Sequence, residues 1–111
     1  MSKRNIKLYI DDMKDSVSRI EKYSKGLSFD KFSKNNLVID AVVRNLEVIG
    51  EAAKNVPTEF KEKHKEIPWK KIAGMRNIIV HEYFSVDLEI LWKTIQQDIL
   101  ELKKMINKIK S

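Results

Sequence analysis

Apolar residues recur every three or four positions at both ends of this chain, and that spacing restricts it to packed helices. Near the N-terminus Ile6, Ile10, Met13, Val17 and Ile20 alternate steps of four and three. Near the C-terminus Leu88, Leu91, Ile95, Ile99, Leu102, Ile106 and Ile109 are again spaced by threes and fours. Each series draws a narrow apolar stripe along one face of a helix. Gly 3 and Pro 2 in 111 residues leave few turns, and 42% hydrophobic against 34% charged residues describes a globular chain. The expectation is an all-α fold in which residues 1–111 form a single domain.

The first helix is expected over about Lys3 to Lys25, with Gly26 placed as its C-terminal cap. Leu8 and Tyr23 fall off its stripe, as scattered surface residues or as a second contact surface. Ser28 to Phe32 reads as a short helical turn or loop. A second helix is expected from about Lys34 to Asn55, stopped by Pro57. Its apolar arc is broad (Leu37, Val38, Ala41, Val42, Val48, Ile49, Ala52, Val56), as suits a central helix with several neighbours. Asn45 projects into that arc and must find partners, either as a structural hydrogen-bonder or as part of a site. On the flank, Asp40, Arg44, Glu47 and Glu51 form a polar row at helical spacing. It is either a solvated face with Asp40 and Arg44 paired, or an acidic and basic set that orients a catalytic group elsewhere.

Thr58 to Glu66 reads as a short charged helix anchored by Phe60, with His64 solvated on its surface. No His, Cys or acidic cluster has metal-ligand spacing, so no metal and no cofactor are expected. Zero Cys excludes disulfides and suits a reducing compartment. The N-terminus, MSKRNIKLYIDD, has no long apolar run, so neither a signal peptide nor a membrane span is expected and the default location is the cytoplasm. A third helix opens at Ile67-Pro68-Trp69, with Pro68 at its first position and Trp69, Ile72, Met75 and Ile79 facing inward. The fourth is capped by Ser85 or Asp87 and runs to about Lys110, its last turn rich in lysine. Two stripe-bearing outer helices and two central ones pack naturally as an antiparallel four-helix bundle with short extra helical segments.

The chemistry is concentrated in Arg76-Asn77-Ile78-Ile79-Val80-His81-Glu82-Tyr83, which holds one of only two histidines. A guanidinium stays charged and grips phosphate through parallel hydrogen bonds, and an imidazole moves protons near neutral pH. Metal-free RNA cleavage needs a base for the ribose 2′-OH, a cation at the phosphorane and an acid for the leaving 5′-oxygen. His81 can serve as base or acid and Arg76 as the cation. Asn77 can hold the phosphate or fix the imidazole tautomer, and Tyr83 can bind phosphate or base, or accept a modification. On one straight helix about 140° separates Arg76 from His81. Either the helix bends between them or a second copy of the chain completes the site, and Gly74 leaves room for close backbone approach on the His81 side. The net charge of +6, from 22 Lys+Arg and 16 Asp+Glu, fits a polyanionic partner or simple solubility.

At this octet the chain resembles the HepT-like toxins, a branch of the HEPN superfamily of small helical ribonucleases. The resemblance extends through Ala41-Val42-Val43-Arg44-Asn45-Leu46-Glu47-Val48-Ile49-Gly50-Glu51-Ala52-Ala53-Lys54, Ile67-Pro68-Trp69, Ile72-Ala73-Gly74-Met75-Arg76-Asn77, and His81-Glu82-Tyr83-Phe84 with Val86-Asp87. It implies a HEPN-type bundle, a symmetric homodimer with the motifs facing across a cleft, and metal-independent RNA cleavage by Arg76 and His81. It implies supporting roles for Asn77, Arg44, Glu47 and Glu51. It also implies a partner, a minimal nucleotidyltransferase antitoxin, which in part of the family transfers AMP to the tyrosine matching Tyr83. The competing expectation is a non-catalytic helical module that binds nucleotide or docks the nucleotidyltransferase. A DNA-binding bundle lacks the required turn between two short helices.

Overall fold

The computed structural model describes residues 3–74 and 87–109. Among them every regular element is helical and none is a strand. In chain order they are α1 (Lys3–Ser24), α2 (Phe29–Ser33), α3 (Asn36–Asn55), α4 (Thr58–Lys63), α5 (residues 69–74), α6 (Leu88–Lys93), a π-helical segment (Thr94–Ile99) and α7 (Leu100–Ile106). The expected all-α helical bundle is the architecture observed.

The α1 stripe is buried as its spacing requires: Ile10, Met13, Val17 and Ile20 are at most 2% exposed. The helix ends where Gly26 takes a φ of +77°, a left-handed conformation in which a side chain would be strained. Leu8 and Tyr23 lie exposed. One face of α1 packs on α3 and another on the π segment and α7. The Lys14 ammonium donates to the Ile109 carbonyl at 2.8 Å, and Lys103 donates to both Glu21 carboxylate oxygens at 2.8 Å. Residue 14 therefore meets residue 109 and residue 21 meets residue 103, so α1 and α7 run antiparallel. The Lys103 pair also means that this member of the C-terminal lysine cluster is already engaged within the fold.

Two side-chain caps start α2 and α3: Ser28 Oγ accepts from the Lys31 N–H at 3.2 Å, and Asn35 Oδ1 from the Val38 N–H at 3.1 Å. Helix α3 is central, burying Val42, Val43, Leu46, Ile49, Ala52 and Ala53. Asn45 is buried too, and its Nδ2 donates to the Ala41 carbonyl at 2.8 Å, the structural of its two expected roles. Leu37 departs from the expected arc, being 82% exposed. It lies nine residues before Leu46, about 180° around the helix from the centre of the buried face, and so shares the polar side with Arg44.

The C-terminal rod departs from a uniform helix. Leu91, Ile95 and Ile99 are spaced by two consecutive steps of four, which on an α-helix would rotate the buried line by about 80°. The π segment absorbs one extra residue, because its hydrogen bonds reach five residues rather than four. The rotation shrinks to about 20°, and the three side chains stay 3–6% exposed. Thr94 Oγ1 donates to the Ile90 carbonyl at 2.9 Å just where the segment begins. Asp87, one of the two expected caps, starts the rod by accepting from the N–H groups of Glu89 and Ile90. The α-helical part ends at Ile106, short of the expected Lys110.

Candidate functional site

Of the candidate site residues, the described ones are the polar row on the flank of α3, and the helix that precedes the Arg76 octet in sequence is described as far as Gly74. Measured from Leu46, the side chains of Asp40, Arg44, Glu47 and Glu51 project at about 100–160° around α3. Asp40, Arg44 and Glu51 are exposed and Glu47 is half-buried. Asp40 and Arg44 do not form the expected ion pair, whereas Lys7–Asp11 and Asp15–Arg19 on α1 do, at 3.0 and 3.2 Å. An exposed i, i+4 pair is worth only about 0.3–0.5 kcal/mol, so nothing holds Arg44 to Asp40. Glu51 is engaged in an interaction of its own. Arg76, Asn77, His81 and Tyr83 lie outside the described residues, as do Met75, Ile79 and Ser85.

Helix α5 is set firmly. Trp69 and Ile72 are 7% and 1% exposed in the core. The Trp69 Nε1–H donates to the His64 carbonyl at 3.0 Å, which fixes the corner between α4 and α5. Lys71 meets Asp98 at 3.3 Å and ties α5 to the π segment. The carbonyl of Pro68 accepts the first helical bond, from the Ile72 N–H at 3.0 Å. Proline is thus the cap and Trp69 the first helical residue, one place later than expected. His64 is not the solvated histidine that the charged run suggested. It is half-buried, its ring 4.4 Å from that of Phe60 and its Nδ1 3.6 Å from Glu66.

Gly74 closes the described part of α5. Among the described residues, a Cβ built on it meets no atom within 4 Å, so crowding by those residues does not explain the glycine. Gly74→Ala is expected to raise the melting temperature of an isolated protomer by the gain in helix propensity, about 0.5–1 kcal/mol. If a second copy approaches this backbone, the same change instead weakens self-association in sedimentation.

The other feature of this corner is an open groove of about 700 Å³ between α4 and α5, lined by Lys61, Lys65, Lys70 and Lys71 with Glu62 as the one lining carboxylate among the described residues. The sequence showed Lys61 and Lys65 within a charged run without showing that Lys70 and Lys71 converge on them. Among the described residues no group of three His, Cys, Asp or Glu is placed to hold a metal, and no helix is long and apolar enough to cross a membrane.

Comparison with known proteins joins these elements to a family: the family model described as Ribonuclease HepT-like matches residues 13–109. The chain belongs to the HepT-like ribonuclease family. This HepT-like chain is 42% identical over 108 residues to a Thermococcus cleftensis protein named "Probable ribonuclease HepT", covering 97% of this chain and 98% of that one. It is 53% identical over 85 residues to a Caldanaerobacter subterraneus protein with a provisional RNase name, covering 77% and 76% of the two chains. A Methanocaldococcus jannaschii protein named as a gamma-glutamylcyclotransferase and provisional RNase is 43% identical over 107 residues. The HepT-like chain spans only 48% of that protein's length. No solved structure matches.

Proposed function

We propose that this HepT-like chain is a metal-independent endoribonuclease toxin that acts in the cytoplasm as a homodimer and is neutralised by a nucleotidyltransferase antitoxin. The observation that carries the reading is the family match over residues 13–109 together with an intact Arg76-x-x-x-x-His81-x-Tyr83 motif. In the reaction, His81 takes the proton of a ribose 2′-OH as O2′ bonds to phosphorus. The P–O5′ bond breaks, and an imidazolium, His81 of the second copy in a symmetric dimer, protonates the leaving O5′. Arg76 holds the non-bridging oxygens as their charge grows, which is the work a metal would otherwise do. The products are a 2′,3′-cyclic phosphate and a 5′-hydroxyl. Asn77 positions the phosphate or the ring, and Arg44, Glu47 and Glu51 on the α3 flank support that arrangement.

Neutralisation follows from the same electrostatics. An adenylate on Tyr83 would add negative charge and bulk beside Arg76 and exclude a substrate phosphate. Coexpression with a cognate nucleotidyltransferase is expected to add the mass of one adenylate to the tryptic peptide containing Tyr83 and to silence RNA cleavage. Tyr83→Phe should escape both. Silencing of Tyr83→Phe without any adduct would instead make the antitoxin a blocking partner, and ligand binding without cleavage in any variant would make the chain a non-catalytic module.

A further inference from the structure

The motif explains how a scissile phosphate is attacked but not how the rest of a long polyanion is held. Beyond the α3 flank, the described surface offers an open groove between α4 and α5 whose charged lining is mostly cationic, with Thr58, Pro68 and Trp69 completing its walls. Its walls carry Lys61 and Lys65 from one side of the corner and Lys70 and Lys71 from the other, against Glu62 alone. Asp98 offsets Lys71, at 3.3 Å. Lys61, Lys65 and Lys70 form no ion pair or side-chain hydrogen bond among the described residues, and Glu66, the nearest further carboxylate in sequence, is turned to His64. Ammonium groups on flexible stems are point charges that attract phosphate without fixing its direction. An open groove bearing several of them suits a polymer backbone better than a small ligand, which needs enclosure and convergent polar groups.

We propose that this groove binds the phosphodiester backbone of the substrate RNA a few nucleotides away from the cleaved bond. The proposal rests on the ribonuclease reading above. Three features of the corner favour RNA. The groove is built on α5, the helix that leads directly into the motif, and Lys70 is only about 6 Å of helical rise from Gly74, two residues before Arg76. The corner is rigid, because the Trp69 indole is buried and bonded to the His64 carbonyl, so the lysine stems diverge from a fixed base. Trp69 lines the groove but is only 7% exposed, too little to stack on a base, and lysine contacts to phosphate track the backbone without sequence preference.

The test is binding of a labelled single-stranded 2′-O-methyl RNA, which has no attacking hydroxyl, measured by anisotropy from 50 to 400 mM KCl. Lys61→Gln/Lys65→Gln/Lys70→Gln is expected to weaken binding about tenfold or more near physiological salt. It should also flatten the log Kd against log salt slope by about two, at about 0.7 per lost phosphate contact. Removing equal charge elsewhere, in Lys22→Gln/Lys104→Gln/Lys108→Gln, should change Kd less than about threefold. Glu62→Gln should tighten binding, a gain that misfolding cannot imitate. Equal losses in the two triple variants would show that net charge alone matters and overturn the proposal. So would a groove triple variant that keeps wild-type RNA binding and slope, including one that has lost only an acidic protein partner. If wild type binds no RNA and cuts none, the ribonuclease reading fails and the groove proposal with it. If wild type cuts RNA while the groove variant binds normally, the groove proposal alone fails.

Discussion

His81→Ala and Arg76→Ala are each expected to reduce RNA cleavage to background while leaving the helical circular dichroism and the melting temperature unchanged. The imidazole is assigned both proton transfers, and loss of a positioned acid or base costs about 10²–10⁴-fold. The guanidinium is assigned the charge that grows on the phosphorane, and loss of one such donor costs about 10²–10³-fold. Arg76→Lys should recover little, because an ammonium cannot reproduce the planar two-point grip. The loss should fall on kcat more than on KM if the lysine groove carries much of the ground-state affinity. Sedimentation completes the experiment. A chain that is monomeric at micromolar concentration yet fully active would remove the second copy from the site, and both roles would then belong to one protomer.

Phe32→Ala is expected to be among the most damaging changes to stability. Phe32 is fully buried, its ring 5.0 Å from that of Trp92, and Phe29 approaches the same indole at 6.4 Å. These rings join α2 to α6, and α2 also packs on α3. Removing a buried phenyl group costs about 3–5 kcal/mol through lost transfer energy and the cavity left behind. That is a large part of the stability of a small domain, and the melting temperature should fall by about 10 °C or more. Phe32→Leu, which refills most of the space, should recover more than half of the loss. A fall of only a few degrees for Phe32→Ala would mean that α2 is peripheral to the fold.

The two outer helices were legible because their stripes are regular and one-sided: Ile10 to Ile20 on α1 and Leu91 to Ile109 on the C-terminal rod are buried as their spacing requires. Even the π segment left a trace, the consecutive steps of four from Leu91 to Ile99, although an alternating pattern of threes and fours hid it. Leu37 was misplaced for a geometric reason, since a broad apolar arc admits a residue that lies opposite its own centre. His64 could not be placed from its neighbours in sequence. Its half-buried state goes with the Phe60 ring one turn earlier and with the corner that the Trp69 hydrogen bond to the His64 carbonyl fixes. The lysine groove was hidden for the same reason, as the corner brings Lys70 and Lys71 against a charged run that read as a separate short helix. The motif, by contrast, can be proposed from the sequence alone because its chemistry is contiguous: Arg76, Asn77, His81 and Tyr83 fall within eight residues. The Asp40–Arg44 pair failed because i, i+4 spacing permits an exposed ion pair without compelling it.

The most direct test of the account is incubation of the purified chain with total cellular RNA in excess EDTA, followed by analysis of the new ends. Discrete fragments carrying 2′,3′-cyclic phosphates and 5′-hydroxyls are expected, formed by wild type and not by His81→Ala. Intact RNA with folded, dimeric wild-type protein, or cleavage that EDTA abolishes, would contradict it.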